Sequence, residues 1–510
     1  MVTHTGNCKR VILAALFYKL FFISSLLAAD QPQWAQRFSR NMISSEVGLA
    51  DDFDPATGKN IKWIASLGSE TWATPVIASG RVFIGTNNSP PRDPRHRGDR
   101  GILLCLDEKD GSLLWQLVVP KLGPDPYLDW PRGGIVSPTT VEQDRVYVVT
   151  NRGEALCLDL NGQTNGNDGP FLDEARHMTP DDAEPLEVTN IDADIIWLFD
   201  IPKQAGTYPH DAAHCSILLD GDFLYLNTSN GVDNTHRKIR NPDGPSLIVL
   251  HKKTGRLLAR DYEGIGHRIF HSTWSSPALG VVNGRKLIFF GGPDGVVYAF
   301  DALDSCPPPD QVKKLNLVWK FDCDPTAPKK NIHKYLKNRT ESPSNIMSMP
   351  VFYKNRIYVT VGGDIWWGKR KAWLKCIDAT KTGDITTSGL IFSYDLSKHC
   401  SSTPAIYQDM VFISDCGGLI HCLNAETGRM HWTHQADSDM WSSTLAADGK
   451  IYVGTRRRDF WILAAQKQKK VIRSLKLDSP LAATPVAANG VLYITTMRKL
   501  YAVQQNKVIE

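Results

Sequence analysis

The sequence predicts an all-β protein, a single eight-bladed β-propeller whose ring is closed by an N-terminal strand. Three observations predict this fold: a unit of four short strands recurs along the chain, the last unit lacks its fourth strand, and a strand of that type stands before the first unit. One four-stranded sheet cannot bury both of its faces, so each unit needs neighbours of the same kind. The repeat therefore indicates one ring rather than several separate domains.

The clearest copy of the unit lies in residues 401–434. It contains four runs rich in apolar residues, separated by Gly, Asn and Asp residues that favour chain reversals. The predicted strands are Thr403–Ile406, Met410–Ser414, Leu419–Leu423 and Arg429–Thr433. Each run has the length of an ordinary strand, so this segment predicts one blade.

The openings of the blades repeat most regularly. First strands follow a small residue and then usually a Ser or Thr, often with Pro behind it, and we attribute these residues to packing. The eight openings are Ala73-Thr-Pro75, Val136-Ser-Pro138, Cys215-Ser216, Ser275-Ser-Pro277, Ser348-Met-Pro350, Ser402-Thr-Pro404, Ser442-Ser443 and Ala483-Thr-Pro485. Fourth strands often carry a Trp, at Trp115, Trp197, Trp319 and Trp432. Two strand positions thus recur with the blades, which supports the propeller.

The two ends of the repeat predict how the ring closes. Blade eight supplies only three strands, and Ile61–Ser66 has the fourth-strand pattern before the first opening. Such a strand would complete the last sheet and protect the edges that an open array leaves exposed. We therefore predict a signal peptide over residues 1–29, an extended lead-in over 30–58 that lies over the outside of the ring, and one propeller over 59–510.

The first 29 residues have the pattern of a secretory signal. Lys9-Arg10 precede the apolar run Val11–Ala28, and a polar segment starts at Asp30. A membrane anchor is the alternative, but the run is interrupted by Lys19 and is shorter than a bilayer span. We therefore expect a periplasmic or secreted protein of the cell envelope, with no transmembrane anchor after cleavage.

Cysteine spacing points to packing rather than to metal or disulfide chemistry. Four cysteines occupy one third-strand position in different blades, too far apart to bridge, so we expect small, buried, unpaired side chains. These are Cys105, Cys157, Cys376 and Cys422. Whether Cys306 and Cys323, which flank one loop, form a disulfide is left open. There is no Cys-x-x-Cys motif, and residues 159–169 resemble a calcium loop without its required Gly and Glu positions.

Long insertions favour one face of the ring. We call the face with the second-to-third turns and the links between blades the top face, and the opposite one the bottom face. First-to-second turns are minimal, and most long insertions belong to the top face. Two exceptions, Asn161–Asp194 and Asp304–Asn316, join third to fourth strands and are assigned to the bottom. Binding residues concentrate in long loops on rigid scaffolds, so we place function on the top face.

A tryptophan motif links these blades to a known family. Its clearest copies run from Cys105 to Trp115 and from Cys422 to Trp432, each with an acidic or amide residue and a Gly between the ends. Over about residues 59–505 the chain resembles the pyrroloquinoline-quinone-like (PQQ-like) β-propeller repeat family, in particular its secreted group compared with the outer-membrane barrel-assembly lipoprotein propeller. The resemblance implies a quinoprotein alcohol dehydrogenase-like fold in which the Trp packs between sheets. The motif is structural and argues weakly for any activity.

The resemblance leaves three functional classes. We favour a non-catalytic binding scaffold; the alternatives are a PQQ-dependent oxidoreductase and a role like that of an outer-membrane protein assembly factor. For the oxidoreductase, the resemblance implies quinone and calcium on the propeller axis, acidic and amide ligands, and commonly a disulfide between adjacent cysteines. The sequence has no adjacent cysteines and offers only Asp364 near the top centre. We therefore expect no cofactor and keep quinone with calcium as the alternative.

The candidate binding residues cluster where top loops enter the blades. His210, Asp211 and His214 precede blade three, and His271 and Trp274 precede blade four. The remaining candidates on this face are Asp364, Trp367, Trp441, Arg456, Arg457 and Arg458. Such side chains suit a polar ligand or a transition metal, but loop histidines bonded to nearby backbone are commoner. We predict no catalytic residue and no metal.

Charge is distributed unevenly over a chain with little net charge. The formal net charge is +4 and 22% of the residues are charged, which favours no class of partner. Top loops carry runs of Arg and Lys, whereas the loop Asn161–Asp194 is acidic. A ring of cations focuses anions toward the axis. We therefore expect an anionic glycan or an envelope protein as partner, no nucleic acid, and a monomer; ordinary solvated loops are the alternative.

Overall fold

The computed structural model describes residues 1–2, 29–123, 127–211 and 214–506, and it shows eight sheets arranged as the blades of a β-propeller. The predicted fold class is confirmed. The predicted signal peptide lies outside the described residues except for residues 1, 2 and 29. Within the described ranges, no helix has both the length and the apolar character needed to cross a bilayer.

The first four blades each contain four antiparallel strands in chain order. Blade one contains Val76–Ala78, Arg81–Asn87, Arg100–Asp107 and Leu113–Pro120. Blade two contains Thr140–Glu142, Arg145–Val149, Glu154–Asp159 and Ile195–Asp200. Blade three contains Leu218–Asp220, Phe223–Asn227, Leu247–His251 and Leu257–Arg260. Blade four contains Ala278–Val282, Arg285–Gly291, Val296–Asp301 and Leu317–Asp322.

The other four blades follow the same plan. Blade five contains Val351–Tyr353, Arg356–Gly362, Ala372–Asp378 and Leu390–Asp395. Blade six contains Ala405–Tyr407, Met410–Ser414, Leu419–Asn424 and Met430–Gln435, each within two residues of its predicted bounds. Blade seven contains Leu445–Ala447, Lys450–Gly454, Asp459–Ala464 and Val471–Lys476. Blade eight contains Val486–Ala488, Val491–Thr495, Lys499–Val503 and, as its fourth strand, Ile61–Ser66.

The ring closes as predicted, because Ile61–Ser66 pairs antiparallel with Lys499–Val503. Two short strands from bottom loops also cover outer edges. Lys313–Lys314 adds in parallel to blade three, and Gly383–Asp384 adds in parallel to blade four. The described helices are short: α-helices Glu174–His177 and Ile201–Ala205, and 3-10 helices Gly162–Asn165, Ile265–Arg268 and Ile332–Tyr335.

Tryptophans of the fourth strands fasten each of five blades to the next. Each indole N–H donates to a backbone carbonyl of the following blade over 2.9–3.2 Å. The donors are Trp63, Trp115, Trp197, Trp319 and Trp432, and the acceptors are Glu108, Leu160, Lys252, Ala379 and Gln466. Directly opposite each Trp, on the third strand, lies an Ala or Cys. A small residue there leaves room for the ring.

The cysteines therefore serve packing. Cys105, Cys157 and Cys422 lie opposite Trp115, Trp197 and Trp432, and Cys376 lies opposite Phe392. All nine cysteines in the described part of the chain are unpaired, and eight of them are buried. The disulfide left open between Cys306 and Cys323 is thus not formed: Cys323 is buried and Cys306 is exposed.

The Ser and Thr residues of the openings also form hydrogen bonds between neighbouring blades. In five places the hydroxyl of one opening accepts the backbone N–H of the equivalent residue in a neighbouring blade, over 2.9–3.2 Å. The acceptors are Thr74, Ser276, Thr403, Ser443 and Thr484. These side chains are buried around the channel, where a buried backbone donor needs a hydrogen-bond partner.

For residues 31–44, the expectation that the lead-in lies over the outside of the ring is wrong. Residues 31–44 cross the bottom mouth of the central channel and make a hydrogen bond with the first strand or opening of every blade. Their partners, in blade order, are Ile77, Val141, Ser216, Leu279, Phe352, Ile406, Ala446 and Ala487. The inner strands leave backbone groups unpaired at the channel, and this segment satisfies them.

Candidate functional site

The top loops and the openings surround a cavity of about 390 Å³ on the propeller axis. We call it the axial cavity; Trp34 of the lead-in lines it from the bottom side. Six of the predicted residues line it: Asp211, His214, His271, Trp274, Trp367 and Trp441. His210 and Asp364 lie directly behind, fully buried and bonded to these residues or their neighbours. The structure thus brings the two predicted clusters together; that they bind a ligand remains a prediction.

Aromatic side chains contribute several walls of the axial cavity. Trp366 meets Trp441 edge to face with ring centroids 5.6 Å apart, and Trp72 lies 5.7 Å from Trp441. Sequence reasoning missed five of the aromatic lining residues: Trp34, Trp72, Tyr127, Trp130 and Trp366. A signal for Trp72 was present, because it precedes its opening at the position that Trp274 and Trp441 hold in theirs.

Arg456 lies over the aromatic wall. Its guanidinium carbon is 4.3 Å from the ring centre of Trp441 and 5.2 Å from that of Trp72, a cation–π arrangement. Its Nη1 is buried and has no hydrogen-bond partner among the described residues. Arg457 and Arg458, predicted with it, are exposed instead. One of the three arginines therefore stacks on two tryptophans that line the cavity.

A second, polar space of about 510 Å³ adjoins the axial cavity and shares Ile365 and Trp441 with it. We call it the side cleft. Its charged side chains are Arg339, Lys398, Arg457, Asp437 and Asp439. His399 also lines it, and its Nε2 is buried without a described partner. Burial, with Arg339 and Lys398 nearby, lowers the pKa of His399 to about 4.

Three buried histidines meet beside the axial cavity: His210, His236 and His271. One ring nitrogen of each lies within 4.8 Å of the others. His236 comes from the second-to-third loop of blade three and was missed, because it stands alone between charged residues in the sequence. Burial, then the nearby His271 and His236, lowers the pKa of His210 to about 2, and burial lowers that of His236 to about 4. Both rings are therefore neutral at pH 7.

Two carboxylates complete this cluster. Asp364 accepts hydrogen bonds from His271 Nδ1 at 2.9 Å, from Asn345 at 3.1 Å, and from the backbone N–H groups of Trp366 and Trp367. Burial opposes its charge, but His271 and these donors hold its pKa below the ordinary value. Asp211 lies 3.6 Å from His210 Nε2 and from His271 Nε2, and burial raises the pKa of Asp211 to about 6.

The predicted acidic bottom face is wrong. The loop 161–194 runs along the outer rim to the top loop of blade one, where Arg95 pairs with Asp192 at 2.9 Å and with Asp93. Glu174, Asp192 and Asp194 of this loop are buried. The other acidic residues of this loop stay exposed: Asp168, Asp173, Asp181, Asp182, Glu184 and Glu187. The acidic surface therefore exists, but it follows the rim toward blade one instead of the bottom face. In the segment that resembles a calcium loop, Asp159 pairs with Arg145 at 2.7 Å.

Part of the predicted basic top face is likewise neutralised. Arg95 is paired as described above, and Lys369 is buried against Asp324. Cations at the rim that stay exposed include Arg237, Lys238, Lys337 and Arg370. Lys337 also stacks on Trp367, with its Nζ 5.4 Å from the ring centre. The positive groups nearest the axial cavity are therefore Arg456, Lys337 and those of the side cleft.

Comparisons with known proteins agree with this architecture. Residues 370–508 match the model of a family described as outer membrane protein assembly factor BamB. BamB from Moraxella catarrhalis shares 14% identity with this chain; the alignment covers 86% of this chain and 98% of that one, with a TM-score of 0.53. No curated protein matches the sequence significantly.

Two enzymes have the same fold. The quinohemoprotein alcohol dehydrogenase from Comamonas testosteroni is 10% identical, with 94% of this chain and 81% of that one covered and a TM-score of 0.57. The quinohemoprotein alcohol dehydrogenase ADHIIG from Pseudomonas putida HK5 is 10% identical over the same shares, with a TM-score of 0.58. The family model therefore confirms the resemblance to the PQQ-like β-propeller family over residues 370–508, and the solved structures show the same fold for the ring as a whole.

The residues around the axial cavity do not fit calcium-bound quinone as the resemblance implies it. Calcium takes roughly six to eight oxygen ligands, whereas the titratable groups that meet here are three histidines and only two carboxylates, Asp211 and Asp364. Asp364 is already engaged by four donors. Cys215, which lines the cavity, has no cysteine beside it in the sequence. A group of three histidines with two carboxylates is not the set of ligands that calcium prefers.

Proposed function

We propose that the protein is a binding propeller of the cell envelope that takes the end of an anionic sugar chain into the axial cavity. The cavity volume suits a small ligand rather than a folded protein surface. Flat indole rings on several sides present the apolar faces against which the C–H faces of sugar rings pack. The fold likeness, the predicted signal peptide and the top-face loops support a binding role outside the cytoplasm.

Arg456 is the observation that carries the proposal. Its guanidinium is held flat by Trp72 and Trp441, and the buried Nη1 donor has no described partner. A buried donor without a partner costs free energy, about 1–3 kcal/mol for an ordinary group. A uronate carboxylate or a sulfate beside the tryptophans would satisfy it through a charge-assisted hydrogen bond. The same anion would face Arg339 and Arg457 in the side cleft.

Calorimetric titration of matched oligosaccharides tests the proposal. We expect uronate or sulfated oligomers to bind and their neutral counterparts to bind at least about tenfold more weakly, since each lost charge-assisted bond costs roughly 1.5–3 kcal/mol. Arg456→Ser and Trp441→Ala should weaken binding, whereas Arg458→Ser, in the same turn but exposed, should not. Equal binding of neutral and anionic oligomers would refute anion recognition, and binding unchanged by Trp441→Ala would refute the cavity.

The match to the BamB family model favours a second candidate. It covers residues 370–508, which include blades six and seven and three of the four strands of blade eight. The protein would then assist assembly of outer-membrane proteins by holding polypeptide segments on its surface. Titration with an extended outer-membrane strand peptide separates the two functions: peptide binding that survives Trp441→Ala and Arg456→Ser favours assembly, and absence of peptide binding removes it.

A further inference from the structure

We propose that His210, His236, His271 and Asp211 form a binding site for one divalent transition-metal ion at the wall of the axial cavity. This site goes beyond the proposed function and does not depend on it. One nitrogen from each histidine already lies within 4.8 Å of the others, and both carboxylate oxygens of Asp211 lie 3.6 Å from a histidine Nε2. An ion about 2.0–2.1 Å from each nitrogen would hold them roughly 3.3 Å apart, so small side-chain rotations suffice.

The hydrogen bonds on the far side of two rings turn their lone pairs toward this point. His210 Nδ1 lies 2.8 Å from the carbonyl of Val232, and His271 Nδ1 lies 2.9 Å from the carboxylate of Asp364. Both partners are acceptors, so each Nδ1 carries the proton and each Nε2 carries the lone pair in the neutral ring. A carboxylate behind a ligating histidine is the usual support of a protein metal site.

Hydrogen bonds among the described residues do not satisfy the Nε2 atoms of all three histidines. His210 Nε2 lies 3.1 Å from His236 Nε2, a contact that one N–H of His236 can bridge. His271 Nε2 is then left buried, with no hydrogen-bond partner among the described residues. An unsatisfied buried polar atom calls for an unplaced water or ion. A single cation at the meeting point serves all three lone pairs at once.

The backbone is held in uncommon conformations to bring these side chains together. Asp211 has φ 64° and His236 has φ 58°, both in the left-handed region. At Gly231 an added Cβ would lie 2.5 Å from His210 Cβ, so only glycine lets this histidine approach. Strained positions of this kind concentrate at functional sites.

Three imidazoles and one carboxylate are ligands for Zn²⁺, Co²⁺, Ni²⁺, Cu²⁺ or Fe²⁺ rather than for Ca²⁺ or Mg²⁺. His236, His271 and Asp211 also line the axial cavity, so an ion here can exchange with solvent. A second group of possible ligands, Asp93, His96 and Asp192, differs in one respect: Arg95 already binds both carboxylates. The cluster at the axis has no such cation among the described residues.

Equilibrium dialysis of chelator-treated full-length protein against Co²⁺, with Zn²⁺ as competitor, tests this site. We expect one Co²⁺ per chain, a visible d–d absorption spectrum that Zn²⁺ abolishes, and a metal-dependent rise in melting temperature. His236→Gln and His271→Gln should lose the spectrum and bind at least about 100-fold more weakly. Asp364→Asn, which removes the carboxylate behind His271 but no proposed metal ligand, should weaken binding about 10–100-fold.

Matched variants make each outcome decisive. His96→Gln at the second group and His251→Gln, remote on blade three, should keep the full stoichiometry and spectrum. Circular dichroism of each variant separates lost metal from lost folding, and His236→Gln lies on a loop outside the strands. A wild-type protein that binds no Co²⁺ at about 1 mM, or His236→Gln and His271→Gln variants that bind it like the wild type, would overturn the site. Neither result depends on whether a sugar binds.

Discussion

Single side chains determine how neighbouring blades of this propeller pack against each other. A Trp in the fourth strand needs a small residue opposite, which is why Cys105, Cys157 and Cys422 recur at one position. The following blade also makes room: a Cβ at Gly255 would lie 2.5 Å from the ring of Trp197. The Gly of the tryptophan motif therefore receives the Trp of the preceding blade, not that of its own.

His399 gives a residue-scale prediction about pH. Burial, with Arg339 and Lys398 close by and Asp364 acting in the opposite direction, lowers the pKa of His399 to about 4. An unfolded chain has an ordinary histidine pKa near 6.5. Between these values the unfolded state binds a proton that the folded state does not, so stability falls as the pH falls from about 6.5 to 4.

We expect this group to contribute a loss of up to about 3 kcal/mol over that interval. Denaturant unfolding at several pH values measures it. His399→Gln should flatten the decline, whereas His267→Gln, on an exposed side chain, should leave it unchanged. A decline of the same size in His399→Gln would contradict the prediction.

At the scale of elements, the lead-in acts as a central fastening. Arg40 is fully buried and has no carboxylate partner within the described part of the chain. Its guanidinium donates to the carbonyls of Trp34, Ser216 and Pro277 and to the Ser216 hydroxyl. Burial lowers the pKa of Arg40 to about 10, so it stays charged at pH 7. One side chain thereby connects the lead-in to blades three and four.

Arg40→Met should destabilise the protein by about 3 kcal/mol or more, because it leaves several buried carbonyls without donors. Arg37→Met, three residues away on an exposed side chain, should change stability by less than about 0.5 kcal/mol. Thermal and denaturant unfolding of both variants measures the difference. Similar midpoints for the two would show that the lead-in is not structural.

At the scale of the whole molecule, stability depends on closing the ring. Trp63 of the closing strand is buried and donates to the carbonyl of Glu108 in blade one, at 3.0 Å. The hydroxyl of Thr74 accepts the N–H of Thr484 across the same junction. Blades eight and one are therefore joined by the same two kinds of hydrogen bond, from an indole N–H and to an opening hydroxyl, that join other neighbouring blades. They are joined in this way although they come from opposite ends of the repeat.

Trp63→Ala should cost about 3–5 kcal/mol and promote association, since it removes a buried indole at the junction and loosens a sheet edge. Ile64→Ser, on the same strand but 38% exposed, should have little effect. Unfolding curves and size-exclusion chromatography compare the two variants. If Trp63→Ala melts with the wild type, closure contributes little to the fold.

The sequence by itself determined the architecture of this protein. Four-strand units, their openings and the tryptophan motif repeat locally, and a repeat that cannot bury its own faces has few ways to pack. Closure by Ile61–Ser66 followed from counting strands. The convergence of His210, Asp211 and His271 at the top centre also followed, because every blade places the same link at the same end of the channel.

Only the tertiary structure determined the contacts that do not repeat from blade to blade. The path of residues 31–44 through the channel mouth, the place of His236 in the histidine cluster and the course of the loop 161–194 each depend on partners distant in sequence. A lone histidine between charged residues carries no periodic signal, and a buried Arg40 looks like a surface residue in sequence. Such residues meet their partners only after the ring has assembled. The assembled blades leave some buried polar groups without partners, and the non-repeating contacts form where those groups are satisfied.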